Sequence, residues 1–378
     1  MHLQDENHFQ KKHFGGLDFL RTIAISWVFI FHYNGGDFYE WFYNIKDFGW
    51  TGVDLFFVLS GYLIAQQLFK EANSNNDVSI KKFYIKRFFR ILPAYFFVLI
   101  LYILIPSFRE RPVISPVWKS VTFTQNINLD PSIYNAFTHA WSLCIEEQFY
   151  LFFPAIVLLL VIWKAQKKVF YIIIALFLFT FFLRFYLWIN YLDPLKIPEE
   201  EQGNFWVTWI YYFTLSRLDG LLTGITIAAV FEYLPALKNR ILKHGNLIFS
   251  IGCAVLLGAY FLCFNRHSFN GSVFGFSVVS IGYGCLVTAA LCPNCFLYKM
   301  NFSFFKTIAI LSYAVYLCHK AICHLCHVYF SKLGVDDEGN VMLCICIIAT
   351  IIAAIIIRYL VEKPFLKWRE YILLKLNQ

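Results

Sequence analysis

Long runs of apolar residues follow one another along the chain, separated by shorter polar segments. A helix that crosses a membrane needs about 20 mostly apolar residues, and ten runs approach that length. They are the segments 17–33, 52–69, 92–105, 149–163, 170–190, 208–231, 247–264, 272–292, 305–330 and 341–360. The pattern predicts an all-α, polytopic membrane bundle of about ten transmembrane helices.

Composition supports this prediction, because 59% of the residues are hydrophobic and 20% are aromatic. One soluble core does not bury that much apolar surface. The first apolar run contains Asp18 and Arg21 and lacks a small-residue cleavage motif, so we interpret it as a retained span and not as a cleaved signal peptide. We interpret the net charge of +8 as a sign of membrane orientation, because basic segments face anionic lipid. No nucleic-acid partner is expected.

Lys and Arg are distributed unequally between alternate connecting segments. The set formed by the N-terminus, the C-terminal tail and four connections carries more than three times as many as the other set. The positive-inside rule predicts that this set is cytoplasmic. We therefore expect both termini in the cytoplasm, with a cytoplasmic segment 1–16, a transmembrane domain 17–365 and a cytoplasmic tail 366–378. The outer stretch 106–148 is too long for a plain connector, and we expect it to be partly folded at the outer surface.

Ionisable residues inside apolar segments are costly, so each one invites a functional interpretation. Arg21 and His32 are eleven residues apart in the first span. At ~100° per residue they lie about 20° from the same helix face and roughly 16 Å apart along the axis. The alternative is that Arg21 snorkels to the cytoplasm beside Asp18 while His32 sits at the outer interface.

Four further motifs place polar residues in or beside the spans. Arg87 and Arg90 in FYIKRFFRILPAYF share a helix face at the cytoplasmic surface, and paired guanidinium groups suit phosphate. Ordinary positive-inside charge also explains a basic segment at this place. The other motifs are GWTGVDLFFVLSGYLI with Asp54 and Ser60, THAWSLCIEEQFY with His139, Trp141, Ser142 and Glu146, and SRLDGLLTG with Arg217 and Asp219.

The chain resembles the membrane-bound acyltransferase 3 family from residue 16 to about residue 365. The resemblance rests on seven stretches in the family's order: GGLDFLRTIAISWVFIFHY, GWTGVDLFFVLSGYLI, FYIKRFFRILPAYF, THAWSLCIEEQFYLFFP, SRLDGLLTG, LSYAVYLCHKAI and VEKPF. It implies an O-acyltransferase in the bacterial cytoplasmic (inner) membrane. Such an enzyme takes an acyl group, usually acetyl from cytoplasmic acetyl-CoA, to a hydroxyl of an extracytoplasmic glycan such as O-antigen, capsule, exopolysaccharide or peptidoglycan.

The resemblance also implies a set of site residues. We expect His32 to remove the proton from a sugar hydroxyl as that hydroxyl attacks the thioester, with Glu146 or Asp54 orienting the imidazole. The predicted catalytic residues are His32, Arg21, Glu146 and His139. The predicted acetyl-CoA-binding residues are Arg87, Arg90, Arg21 and Arg217. The predicted substrate or supporting residues are Asp54, Ser60, Trp141, Ser142, Asp219 and His319.

Several alternatives stay open at this point. The acyl group is passed either directly or through a covalent intermediate on Ser60, Ser142 or Cys144. A transporter or flippase would also place charges inside the membrane, although it predicts matching repeats in two halves, which the sequence does not contain. A non-catalytic acyl or lipid sensor is the third possibility.

The segment CHKAICHLCH places four potential zinc ligands on one helix face, namely His319, Cys323, Cys326 and His327. One straight helix cannot easily surround an ion with four tetrahedral ligands, and Cys often packs as a small hydrophobic residue. We therefore expect no metal and keep only His319, which matches a family histidine.

Overall fold

The computed structural model describes residues 15–33, 35, 40–75, 77–193 and 199–376, so most of the predicted segment 1–16 lies outside the described residues. The long helices are α1 (Gly15–His32), α2 (Gly52–Asn75), α3 (Ile80–Leu104), α4 (Trp141–Ile162), α5 (Val169–Leu187), α6 (Asp219–Tyr233), α7 (Gly245–Leu262), α8 (Phe276–Ala290), α9 (Ser303–Phe330), α10 (Asn340–Ile357) and α11 (Lys363–Lys375). Shorter helices are Glu40–Asp47, Val117–Val121, Glu199–Phe205 and Pro235–Ile241.

The described residues form helices and no strand, which confirms the predicted all-α bundle. Within them, eight helices are long and apolar enough to cross a membrane, or nine if α6 and Pro235–Ile241, bent by 112°, form one span. Ten spans were predicted. The first is not among the eight because Asp18, Arg21 and His32 lower the mean hydropathy of α1. The cytoplasmic placement of the termini stays a prediction.

Small residues allow the central helices to approach closely. α1 packs against α2 and α9, and α2 packs along α6. A Cβ atom at Gly61 of α2 would lie only 2.2 Å from the carbonyl oxygen of Leu221. A Cβ atom at Gly224 of α6 would lie 2.2 Å from the carbonyl oxygen of Val58. Van der Waals packing through such contacts is a main source of helix association in a membrane.

The predicted span 208–231 is wrong as a continuous helix. A π-helical segment, Trp206–Tyr211, is followed by an extended residue, Phe213, and α6 begins only at Asp219. The side-chain amide of Asn126 provides a hydrogen-bond partner for the backbone at this break, since its Nδ2 atom donates to the carbonyl oxygen of Tyr212 at 3.0 Å. Non-helical backbone within a bundle is tolerated where protein groups bond it.

The long stretch 106–140 folds inward against the bundle. The hydroxyl of Tyr95 donates to the carbonyl oxygen of Ser120 at 2.9 Å, and the amide of Gln148 donates to that of Phe123 at 2.7 Å. Tyr95 lies nine residues before the end of α3, or roughly 14 Å along that helix. Part of the stretch therefore lies in the interior of the bundle, and its placement on the outer side of the membrane stays a prediction.

Candidate active site

Three histidines from distant parts of the chain meet beside the C-terminal end of α1. His32 is the last residue of α1, His139 precedes α4, and His319 lies in the middle of α9. The ring centroids of His32 and His319 are 5.1 Å apart, and those of His139 and His319 are 5.2 Å apart. The sequence predicted each residue separately, and the fold brings them together.

Backbone carbonyl groups determine which nitrogen of each neutral imidazole carries the proton. Nδ1 of His319 lies 2.8 Å from the carbonyl oxygen of Tyr316. Since a carbonyl oxygen only accepts, this nitrogen is the donor and Nε2 of His319 keeps a lone pair. Nδ1 of His32 lies 3.2 Å from that Nε2 atom and 3.1 Å from the carbonyl oxygen of Val28, so it must donate. Nε2 of His32 is therefore the unprotonated nitrogen, as a general base requires.

His139 adds a second unprotonated imidazole nitrogen. Its Nε2 atom donates to the carbonyl oxygen of Leu317 at 3.2 Å, which leaves Nδ1 as an acceptor. Nδ1 is buried and has no hydrogen-bond partner among the described residues. The hydroxyl of Tyr316 holds the backbone of His139 at 2.6 Å, and Ser142 lies 2.6 Å from that hydroxyl. The Tyr316 hydroxyl donates its proton to the carbonyl oxygen of His139, so Ser142 is the donor in its contact with Tyr316. Among the described residues, the hydrogen-bond partner of the Ser142 hydroxyl is therefore a phenol and not a base.

A pocket of about 170 Å³ lies beside His32 and His139. Its wall is mostly aromatic, and a short loop between α7 and α8 contributes two basic residues. Several of the lining residues were not among the predicted site residues, including Trp50, Trp206, Tyr211, Tyr212, Arg266 and His267. The aromatic run WVTWIYYF at 206–213 was the available signal, but its period fits a membrane helix equally well.

A buried ion pair lies behind the aromatic wall. Arg217 donates to Asp54 at 2.8 Å, and both side chains are almost fully buried. The guanidinium lies 5.3 Å from the ring centroid of Trp141 and 4.9 Å from that of Tyr211, which are also pocket residues. These groups enclose Arg217, so a phosphate could reach its guanidinium only past the aromatic wall. Asp54 is paired with Arg217 and does not orient the imidazole of His32. The hydrogen-bonding partner of that imidazole is His319.

A second buried pair joins α5 to α6. Arg184 contacts Asp219 at 2.5 Å, and the hydroxyl of Ser277 donates to the same carboxylate at 2.6 Å. Asp219 thus pairs with Arg184 although Arg217 is only two residues away in sequence. Arg184 was not predicted as a site residue. The available indication was its position as a single cation inside the apolar run FFLRFYL.

The other predicted cations, Arg21 of α1 and Arg87 and Arg90 of α3, lie near one another on the N-terminal side of α1. Arg21 lies 3.5 Å from Asp18 and acts electrostatically on Arg87. Arg90 is within electrostatic range of both Arg21 and Arg87. Like charges repel, so three guanidinium groups this close favour an anionic ligand.

Ser60 and Glu146 lie beside this cation cluster. Ser60 donates to the Glu146 carboxylate at 3.0 Å, and the hydroxyl of Tyr150 donates to it at 2.5 Å. The hydroxyl oxygens of Ser60 and Tyr150 are also in contact with each other. Arg87 lies over the Tyr150 ring, 5.2 Å from its centroid. Ser60 is therefore a hydroxyl next to a carboxylate, a pairing that the sequence did not reveal.

Two of the four potential metal ligands of α9 have other side-chain partners. His319 bonds to His32, and His327 lies 3.1 Å from Asp337. Among the residues that the structure describes, no group of three or more His, Cys, Asp or Glu side chains is arranged to hold a metal ion.

The fold and the site define an integral membrane protein with a histidine centre at one end of α1 and a cation cluster towards the other. The chain belongs to the acyltransferase 3 family, since the sequence model described as an acyltransferase domain matches residues 14–359. This confirms the family resemblance of the seven motifs.

Relatives bear names that agree with this family. Peptidoglycan O-acetyltransferase OatA of Listeria monocytogenes is 26% identical over 342 residues, which cover 84% of this chain and 50% of the relative. A putative O-acetyltransferase of Staphylococcus aureus is 29% identical over 375 residues, covering 93% of this chain and 57% of the relative. The chain spans about half the length of the relatives it matches. No solved structure matches it.

Proposed function

We propose that the protein transfers an acetyl group from cytoplasmic acetyl-CoA to a hydroxyl of an extracytoplasmic glycan, with His32 as the general base. The observation that carries this proposal is the hydrogen bond between Nδ1 of His32 and Nε2 of His319, because it leaves the lone pair on Nε2 of His32. The names of the relatives support acetyl as the acyl group and a cell-wall glycan as the acceptor.

The chemistry at His32 follows from this tautomer. Nε2 takes the proton of the acceptor hydroxyl while the hydroxyl oxygen forms a bond to the thioester carbonyl carbon. The carbon–sulfur bond then breaks, and the imidazolium returns the proton to the leaving sulfur. His319 acts through His32 and is a positioning residue. His139 lies beside both rings, and because its Nδ1 atom is buried, its proposed role is to support the other two imidazoles and not to contact the acceptor.

The donor is held towards the other end of α1. Arg87, Arg90 and Arg21 bind the phosphate groups of acetyl-CoA, and the acyl arm extends along α1 towards His32. The distance between Arg21 and His32, roughly 16 Å along the helix, suits a long pantetheine arm. For Arg217 we propose a positioning role instead of the phosphate contact we first predicted, because Asp54 and the aromatic wall enclose it.

The Ser60–Glu146 hydrogen bond favours one variant of this mechanism. Glu146 would take the Ser60 proton while Ser60 attacks the thioester, and would return it to the CoA sulfur as the carbon–sulfur bond breaks. The acceptor hydroxyl would then attack the acetyl ester, and its proton would pass through Glu146 to the departing Ser60 oxygen. Peptide mass spectrometry after quenching with isotopically labelled acetyl-CoA separates the two routes. A labelled peptide that contains Ser60 in wild type, and no label in S60A, supports the covalent route. An unlabelled wild-type protein supports direct transfer.

Purified protein in proteoliposomes tests the proposed function. We expect wild type to release CoA thiol from acetyl-CoA and to label soluble peptidoglycan fragments, whereas H32A does neither. His244 is exposed and far along the chain from the histidine centre, so H244Q is the matched control and retains activity. Transfer by correctly folded H32A would rule out His32 as the base.

A further inference from the structure

The loop between α7 and α8 is locked against the pocket wall. The indole nitrogen of Trp206 donates to Ser272 at 2.7 Å, and the Ser272 hydroxyl donates to the carbonyl oxygen of Arg266 at 3.1 Å. Gly271 permits this turn, since a Cβ atom there would lie 2.7 Å from the carbonyl oxygen of Asn265. The backbone of Arg266 is therefore fixed before any ligand arrives.

Arg266 provides a positive charge beside His32. Its guanidinium lies over the ring of Phe31, 5.4 Å from the centroid, and both residues line the pocket together with His32. No carboxylate of the described residues forms an ion pair with it. Several arginines of the bundle do have such a partner: Arg21 with Asp18, Arg184 with Asp219, Arg217 with Asp54 and Arg358 with Glu362.

His267 does not share this charge at neutral pH. Its ring lies against Trp206, with centroids 4.2 Å apart. Partial desolvation by neighbouring groups such as the Trp206 ring, together with the adjacent Arg266 cation, lowers the pKa of His267 to about 4. Arg266 is thus the fixed cation of the pocket rim near neutral pH.

The rest of the pocket suits a sugar ring. Trp50, Trp141, Trp206, Tyr211 and Tyr212 line it, and aromatic carbon packs against the apolar C–H groups of a sugar. The unprotonated Nε2 atom of His32 accepts from a hydroxyl group. A cation fixed beside it adds recognition of negative charge, since guanidinium groups bind carboxylate and phosphate with paired donors.

We propose that Arg266 binds a carboxylate or phosphate group of the acceptor sugar, so that the preferred acceptor is an acidic glycan. This inference rests on the proposed function, because it requires the acceptor hydroxyl to lie at His32. It makes Arg266, which lies outside the seven motif stretches, a specificity-determining residue.

A matched pair of acceptors tests the inference in proteoliposomes with labelled acetyl-CoA. One acceptor is an oligosaccharide with a free uronic acid carboxylate, and the other is its neutral methyl ester. A phosphorylated oligosaccharide of the same sugars shows which anion is preferred. We expect kcat/KM of wild type to be at least about 10-fold higher for an anionic acceptor than for the ester. R266Q should lose that preference while transferring to the ester within about twofold of wild type, and R266K should keep part of it.

The exposed cation Lys332 is the matched control, so K332Q should retain the wild-type preference. Equal activity of wild type on the anionic and neutral acceptors would overturn the inference, as would an equal loss by R266Q on both. In either case, transfer that is abolished by H32A would leave the proposed function intact. No transfer by wild type to any acceptor would overturn the proposed function and the inference with it.

Direct binding provides a readout that does not depend on turnover. Without acetyl-CoA, the uronic acid oligosaccharide should bind wild type more tightly than R266Q, by about 10-fold at low ionic strength. The difference should shrink as salt is raised. Equal affinities in two monodisperse proteins with the same Tm would contradict a contact between Arg266 and the anion.

Discussion

Nε2 of His319 lies 3.2 Å from Nδ1 of His32, and this contact joins residues that are 287 positions apart in the chain. Together with the carbonyl oxygen of Val28, which also accepts from Nδ1, this contact leaves Nε2 of His32 free to act as a base. It also means that the geometry of the reactive imidazole depends on how α9 packs against α1.

Replacing His319 by Ala should therefore lower kcat much more than it changes the KM for acetyl-CoA. Without the acceptor on His319, the His32 ring loses part of its orientation, and misplacement of a catalytic group costs about 100-fold. Steady-state kinetics in proteoliposomes measure both constants. An unchanged kcat would show that His32 does not need this partner.

Replacing Arg87 and Arg90 together by Gln should raise the KM for acetyl-CoA by about 10- to 100-fold, because two charge-assisted contacts to phosphate are lost. S-acetyl-pantetheine has the same thioester without the phosphates, so its KM should hardly change. K81Q alters an exposed cation of the same segment and is the control. An equal effect on both donors would contradict phosphate binding.

Asp54→Ala should destabilise the protein by about 3–5 kcal/mol, since it leaves the buried guanidinium of Arg217 without its counter-charge. The double variant D54A/R217M should recover much of the lost stability. Thermal unfolding in detergent measures both effects. Additive losses in the double variant, or a raised KM for acetyl-CoA in R217M alone, would instead support a separate ligand contact of Arg217.

Gly61→Ala should also be destabilising, by about 1–3 kcal/mol, because the added methyl group meets the backbone of α6 at 2.2 Å. Gly258 lies on α7 with nothing within 4 Å of an added Cβ atom, so G258A is the matched control. The two Tm values, measured side by side, distinguish close packing from a general effect of Ala in a membrane helix.

The depressed pKa of His267, about 4 against an ordinary value near 6.5, predicts a pH-dependent stability. Between these values the unfolded chain binds a proton that the folded protein does not, so stability falls as the pH is lowered through this window. Wild type should accordingly lose more Tm than H267Q between pH 7 and pH 5. Parallel losses would show that His267 is not the responsible group.

Much of the fold could be predicted from hydropathy, because each long apolar run needs only its own residues to form a helix. The prediction of one continuous helix over 208–231 was wrong because hydropathy considers only the residues of the run itself. It does not detect the break in the helix, which Asn126 stabilises from a distant segment. The ionisable motif residues could be singled out from the sequence because charge inside an apolar run is costly, but their partners could not be predicted. Asp54 pairs with Arg217 and Asp219 with Arg184. Such pairings depend on helix packing, which a single sequence does not reveal.

The Arg184–Asp219 pair has a consequence for biosynthesis. Arg184 is synthesised 35 residues before Asp219, so α5 enters the insertion machinery with a cation that has no counter-charge yet. Releasing such a helix into lipid alone is costly. We therefore expect α5 to remain beside the translocation channel until α6 emerges, and the two to leave it as a neutral pair.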